Sequence, residues 1–302
     1  MRNLPAPNPS LVAVSVAVAP PDSYLAGRDV AATTAPSERL RQRLSWERTA
    51  AGISDLWGAP STQYYRRREM ELISRAFGPL AGKRVLKLDL WNEAFNTRIG
   101  HWLEEQGAEL FAFDLSKTVT ARARQESARI RRQSAGAPRL ACADIREFPF
   151  ADRSFDFVYT MGTIEHIAEY RQALGEILRV LREGGRAIVG VPHRWDPFLR
   201  PLLVGLLAHF GKYPYAPEKS FGSRELRRDL EGAGFEVLER TGILALPGFV
   251  RLLDLFCHTR GIPLDPLWAA LIAPFGFCER RFRAARRLGY LMAMVAQRPA
   301  GG

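Results

Sequence analysis

Between residues 84 and 192 the hydrophobic period of the chain switches repeatedly, and that alternation limits the fold more than any other feature. "RVLKLDL" (84–90), "ELFAFDL" (109–115), "PRLACADI" (138–145), "FDFVYTMG" (155–162) and "RAIVGVP" (186–192) are short apolar runs that read as buried strands. Stretches with helical spacing separate them. One covers about 93–106, with Phe95, Ile99, Trp102 and Leu103 on a shared face behind Asn92 as N-cap. An arginine-rich one covers 117–134, and "YRQALGEILRVLREGG" (170–185) stops at Gly184–Gly185. Strands alternating with helices predict an α/β fold with a mostly parallel sheet covered on both faces. Such sheets bind ligands at the carboxyl ends of their strands.

The flanks complete this plan. Helices are expected over 38–58 and 62–77. "SRELRRDLEGAGF" is a further helix with Ser223 as N-cap, and 235–244 and 288–299 add a sixth and a seventh strand. Two apolar inserts break the rhythm: "PFLRPLLVGLLAHF" (197–210), and two or three helices within 247–287. The expected organisation is a tail over 1–37, N-terminal helices packing on the core over 38–80, a ligand-binding core over 81–195, and the rest of the sheet with lid helices over 196–302. Pro, Ala, Thr and Ser dominate the tail, which predicts disorder. The apolar run in "SLVAVSVAVAPP" is too short to span a bilayer, and three prolines precede it, so it makes a poor secretory signal.

The net charge of +11 comes mostly from arginine. The arginines recur at 66–68, 122–132, 224–228 and 280–287, each time in a helix-like stretch with an apolar opposite face. Solvated helix faces are the first reading, attraction to an anionic membrane surface or acidic substrate the second, and nucleic acid the third. Aromatic residues are not interleaved with the basic ones as a base-stacking surface requires. Cys142, Cys257 and Cys278 are too few and too scattered for a disulfide framework or a zinc site. They suggest a reducing, cytoplasmic compartment, and no metal is expected.

Several strand ends carry a resemblance. Asp114 closes the second strand in "FAFDLS", and Asp144 closes the third in "CADIREFPFADRSFDFVYTMGTIEHI". "EILRVLREGGRAIVGVP" follows as helix, Gly-Gly and strand. Together, over about residues 80–192, these resemble a class I S-adenosylmethionine-dependent methyltransferase. The resemblance implies a Rossmann-like three-layer sandwich with a mostly parallel seven-stranded sheet, and S-adenosylmethionine as cofactor. It also implies Asp114 on the ribose hydroxyls with Leu115 beside it, Asp144 accepting from the adenine amino group, Ile145 packing on the ring, and Met161 at the mouth of the fourth strand.

One motif departs. The family's acid–x–Gly–x–Gly–x–Gly turn falls on Lys87, Asp89, Trp91 and Glu93, and none of them matches. A pyrophosphate needs close backbone approach and free N–H groups, so this turn argues against a nicotinamide dinucleotide. S-adenosylmethionine has no phosphate; its ammonium and sulfonium suit Asp89, Glu93 and the face of Trp91. The opposing reading is that Trp91 fills the pocket and the chain is an inactive methyltransferase-like scaffold or partner subunit.

As general base the candidates are His193 in "VPHRWDP" and His166 in "TIEHI", with Glu165 beside it. Tyr213, Tyr215 and Lys219 are candidate pocket residues. The apolar inserts predict a small or lipid-like acceptor, methylated at oxygen, and peripheral membrane contact through 197–210. A nucleic-acid methyltransferase is a further alternative.

Overall fold

Period-two alternation on the strands sorts the core into two layers. In the computed structural model, which describes residues 36–130, 139–211, 213, 215 and 217–301, seven strands form one sheet. They are β1 (Arg84–Leu88), β2 (Glu109–Asp114), β3 (Arg139–Cys142), β4 (Phe155–Met161), β5 (Leu181–Pro192), β6 (Glu236–Ile243) and β7 (Leu291–Gln297), in the order β3-β2-β1-β4-β5-β7-β6. Every pairing is parallel except those of β7, which runs antiparallel between β5 and β6. The helices are α1 (Pro36–Gly52), α2 (Pro60–Phe77), α3 (Trp91–Phe95), α4 (Ile99–Glu105), α5 (Lys117–Ile130), α6 (Tyr170–Val180), α7 (Arg200–His209), α8 (Ser223–Gly232), α9 (Gly248–Thr259), α10 (Asp265–Arg281) and α11 (Arg283–Arg287).

Val85, Tyr159, Ile188 and Val295 point to one face, where Leu72 and Ile73 of α2 and Ile99 and Leu103 of α4 cover them. Leu86, Leu88, Val158 and Val189 point to the other, against Leu174 and Ile177 of α6 and Leu226 and Leu230 of α8. This is the three-layer sandwich expected. The chain leaves β1 for β2 and β3 on one side, then returns to place β4 on the other. The sheet therefore has a topological switch point between the ends of β1 and β4, where such folds bind ligands.

Three helix expectations change. The single helix over 93–106 is two short ones. Arg98 takes a left-handed conformation (φ 50°), and the Arg66 guanidinium donates to the carbonyls of Thr97 and Arg98, both at 2.8 Å, so a side chain satisfies the break. The helix over 170–185 ends at Val180. Backbone N–H groups of Arg153 and Ser154 take the carbonyls of Arg179 and Val180, Leu181 pairs with Phe155, and Gly184 sits at φ 71° in the irregular first part of β5. Helix α8 begins at Ser223 itself, with Gly222 in the capping position. The tail, apart from its last two residues, lies outside the described residues, as does the end of the 117–134 helix.

Candidate functional site

At the switch point lies a cavity of about 290 Å³, near the lower end of the range for small-molecule sites. Its floor is built from strand ends: Asp89 after β1, Asp114 at the end of β2 with Leu115 after it, Asp144 and Ile145 after β3, and Met161 at the end of β4 with Gly162 and Thr163 after it.

The glycine-free turn holds its shape through side chains. Asp89 sits at φ 69°, the left-handed region that a glycine adopts freely and Asp tolerates better than most residues. Its Oδ1 accepts from the Trp91 N–H at 3.2 Å, and its Oδ2 accepts from the Thr163 hydroxyl at 2.7 Å, tying the ends of β1 and β4 together. Lys87 is buried beneath. Its ammonium donates to the Asp89 carbonyl at 2.9 Å and pairs with Asp89 Oδ1 at 3.3 Å and Glu93 Oε2 at 3.0 Å. Burial opposes the cation, but the Asp89 and Glu93 carboxylates outweigh it and raise its pKa. Asp89 itself is raised by burial, with Lys87 countering.

Glu93 does not reach the cavity. It turns inward to Lys87, and its Oε1 accepts from the Gly100 N–H at 2.9 Å, so the expected cofactor contact is corrected to a structural ion pair. Trp91 packs edge-on against Trp46 and Tyr215, with ring centroids 5.8 and 5.6 Å apart, and leans on Phe95 at 4.8 Å. It walls the cavity and leaves it open.

Asp114 faces the cavity while its oxygens accept from the N–H groups of Leu90 and Ser116 at 2.9 and 2.8 Å. Burial pushes its pKa up to about 7. Two acceptors held at fixed angles, each with a lone pair remaining, suit vicinal hydroxyls. Asp144 also lines the cavity, but the Arg146 guanidinium grips both its oxygens at 2.8 and 2.6 Å. Burial raises its pKa, and Arg146 more than offsets that to leave it lowered. Leu115, Ile145 and Met161 also line the cavity.

The base candidates separate. His193 is buried outside the cavity lining, with its backbone N–H donating to the Tyr290 carbonyl at 2.8 Å. Its Nδ1 has no hydrogen-bond partner among the described residues. Burial first, then Arg240, lower its pKa. This overturns its assignment to the site. His166 lines the cavity, its Nδ1 3.1 Å from the Pro217 carbonyl and its ring edge-on to Trp46 at 5.0 Å. Glu165 is buried on the wall. Its Oε2 finds no hydrogen-bond partner among the described residues, and burial raises its pKa well above the ordinary carboxylate range.

The outer wall comes from the two inserts. Leu203, Val204 and Leu207 of α7 and Leu252 and Leu255 of α9 face inward, with Tyr213, Tyr215 and Tyr290. Arg200 is neutralised by Glu218, which also accepts from Tyr213 at 2.5 Å. Lys219 stands apart, bound to Glu225 and Tyr170. Sequence reasoning missed the roof. Gln42 and Trp46 of α1 close the cavity, with Gln42 Nε2 donating to the His166 carbonyl at 2.8 Å. Glu47, one residue on, accepts from the N–H groups of Lys117 and Thr118 and caps α5 from another helix. No local pattern signals a cap supplied across that distance. Arg146 and Arg251 were missed as well.

A family model described as a methyltransferase domain matches residues 96–189, beginning just past the divergent turn. A demethylmenaquinone methyltransferase of Clavibacter sepedonicus is 33% identical over 190 residues, 57% of this chain and 73% of the relative. One of Thermus thermophilus is 33% identical over 148 residues, 43% of this chain and 65% of the relative, so the chain spans just under two thirds of that relative's length. The crystal structure of an S-adenosylmethionine-dependent methyltransferase from Mesorhizobium loti shares the fold, with a TM-score of 0.50 at 15% identity over 76% of this chain and 97% of that one. The chain belongs to the class I S-adenosylmethionine-dependent methyltransferase family, whose cofactor is S-adenosylmethionine.

Proposed function

We propose that this chain transfers a methyl group from S-adenosylmethionine to the hydroxyl oxygen of an apolar, ring-bearing acceptor of the quinol class. The observation that carries the reading is the two-sided cavity: strand-end carboxylates on its floor and aliphatic and tyrosine side chains from α7 and α9 on its outer wall. Asp114 would hold the ribose, and Leu115 and Ile145 the adenine. Asp89 and the face of Trp91 would meet the cationic groups. The cofactor supplies a methyl already activated by its sulfonium.

The protein then has to position, exclude water and take a proton. Glu165 is the base in this reading: its carboxylate takes the proton from the acceptor hydroxyl as that oxygen forms its bond to the methyl carbon. A buried carboxyl with a raised pKa is a stronger base than an exposed one. The names of the two relatives support a quinone-type acceptor. A phenolate can attack through oxygen or through ring carbon, and the same base serves both. Calorimetric titration with S-adenosylmethionine, its demethylated product and NAD tests the cofactor. NMR of the product from a hydroxylated naphthoquinol then places the methyl. Micromolar binding of the first two and none of NAD is expected. A folded protein that binds neither would sink the enzyme reading in favour of the scaffold.

A further inference from the structure

The helices that wall the cavity present a second apolar face to the outside. On α7 no residue is fully buried: Leu203, Val204 and Leu207 face the cavity, while Leu199, Leu202, Leu206 and Phe210 point outward, 54% to 69% exposed. On α9, Phe249, Leu253 and Phe256 do the same, and Leu252 belongs both to the cavity lining and to the exposed face. On α10, Leu264, Leu267, Leu271 and Phe277 are exposed, while Ile272 and Gly276 pack inward. α9 packs against both α7 and α10. Monomeric proteins rarely expose large contiguous apolar patches, and the three helices together carry about a dozen exposed leucines and phenylalanines.

The charge around the patch is mostly positive. Among residues 248–288, Asp254 and Glu279 are buried, accepting from the N–H groups of Ser61 and Ala245, which leaves Asp265 as the exposed acid. Arg260, Arg280, Arg281, Arg283 and Arg287 are exposed. The Arg260 guanidinium lies 5.0 Å over the Phe256 ring, so cation and apolar surface share an edge. Among the described residues no helix is long and apolar enough to cross a membrane.

We propose that the outer faces of α7, α9 and α10 dock the protein on an anionic bilayer surface. The leucines and phenylalanines enter the interface and the arginines meet the headgroups. This extends the sequence expectation for 197–210 to three helices and fixes the lipid charge. It also gives the cavity an apolar wall shared with the lipid face, through which an acceptor dissolved in the bilayer would load. A second copy of the chain is the poorer occupant, since a symmetric contact would bring the same arginines face to face. Docking does not depend on the proposed reaction and is measured without cofactor.

The test is vesicle flotation of the full chain with phosphatidylcholine alone and with roughly one third phosphatidylglycerol, at low and high salt. Binding is expected on the anionic vesicles, weaker in salt, and at least tenfold weaker for Leu202→Glu/Leu206→Glu and for Leu253→Glu/Phe256→Glu. Circular dichroism and melting should be unchanged, because these side chains are already exposed. Leu238→Glu, on an exposed position of β6, should bind like the parent. No binding to anionic vesicles, or binding that the glutamate pairs leave intact, overturns the proposal. So does light scattering that shows a dimer dissolved by the same pairs without vesicle binding.

Discussion

Asp89→Gly restores the residue the family turn would carry, and the structure says it will destabilise the protein. Glycine relieves a left-handed penalty of about 1 kcal/mol. It also frees the unfolded chain at a comparable cost, so these two terms nearly cancel. What remains is the loss of three interactions of one carboxylate: the Thr163 hydroxyl at 2.7 Å, the Trp91 N–H at 3.2 Å and the Lys87 ammonium at 3.3 Å. Such bonds to a charged group contribute about 1.5 kcal/mol each at the low end, giving a net loss of about 4–5 kcal/mol. In a chain of this size that lowers the melting temperature by roughly 9–18 °C. Asp89→Asn, which keeps the left-handed turn and the Thr163 and Trp91 contacts, should lose less than half as much. Thermal unfolding followed by circular dichroism reads both. A glycine variant that melts within about 2 °C of the parent, or above it, would refute the claim that side-chain bonds replace glycine here.

The remaining predictions are more direct. Asp114→Ala should weaken S-adenosylmethionine about a hundredfold in calorimetry, the loss of two hydroxyl contacts to a charged acceptor at roughly 1.5 kcal/mol each; unchanged affinity would remove Asp114 from the ribose. Glu165→Gln should cut kcat/KM by about 10²–10⁴-fold and abolish the rise of activity with pH, which in the parent falls above the usual carboxylate range. His193→Gln should leave kcat within about twofold. Burial raises the Glu69 pKa to about 7, so its contribution to stability is full below pH 4.5 and is lost as pH rises through about 7. Urea titrations should therefore find Glu69→Gln gaining on the parent by up to about 3 kcal/mol between those limits. Burial also raises Glu279 to about 7, and it adds a parallel slope that the Glu69 variant retains.

The sheet was legible because its strands are buried on both faces and bounded by turns, so period and length alone mark them. Asp114 was legible for a related reason: a carboxylate at a strand end in a parallel sheet stands at the mouth of the ligand crevice. Glu93 was misplaced because its side chain answers to Lys87, and a buried lysine on a strand leaves no trace in a pattern of apolar spacing. His193 was misplaced because position after a strand does not fix which way a side chain turns. Its backbone N–H bonds to the carbonyl of Tyr290, a cavity-lining residue, yet its own side chain is not part of the lining. The roof was invisible because Trp46 meets Trp91 and His166 only through tertiary packing of a helix with little apolar periodicity of its own.

The missing glycines then have a physical account. A glycine turn serves a ligand whose negative groups must approach the backbone. Here the turn keeps the left-handed geometry at Asp89 but holds it with a carboxylate, and Lys87, two residues earlier, is a buried cation paired to two acids. One lysine stands against the two acids Asp89 and Glu93 in this cluster. Asp114 stands beside it on the same floor. A phosphate brought to that floor would meet carboxylates and a tryptophan wall. In the proposed reading, a cofactor whose ammonium and sulfonium are cationic would meet complementary charge there, and having no phosphate to seat it would not need the glycines for one.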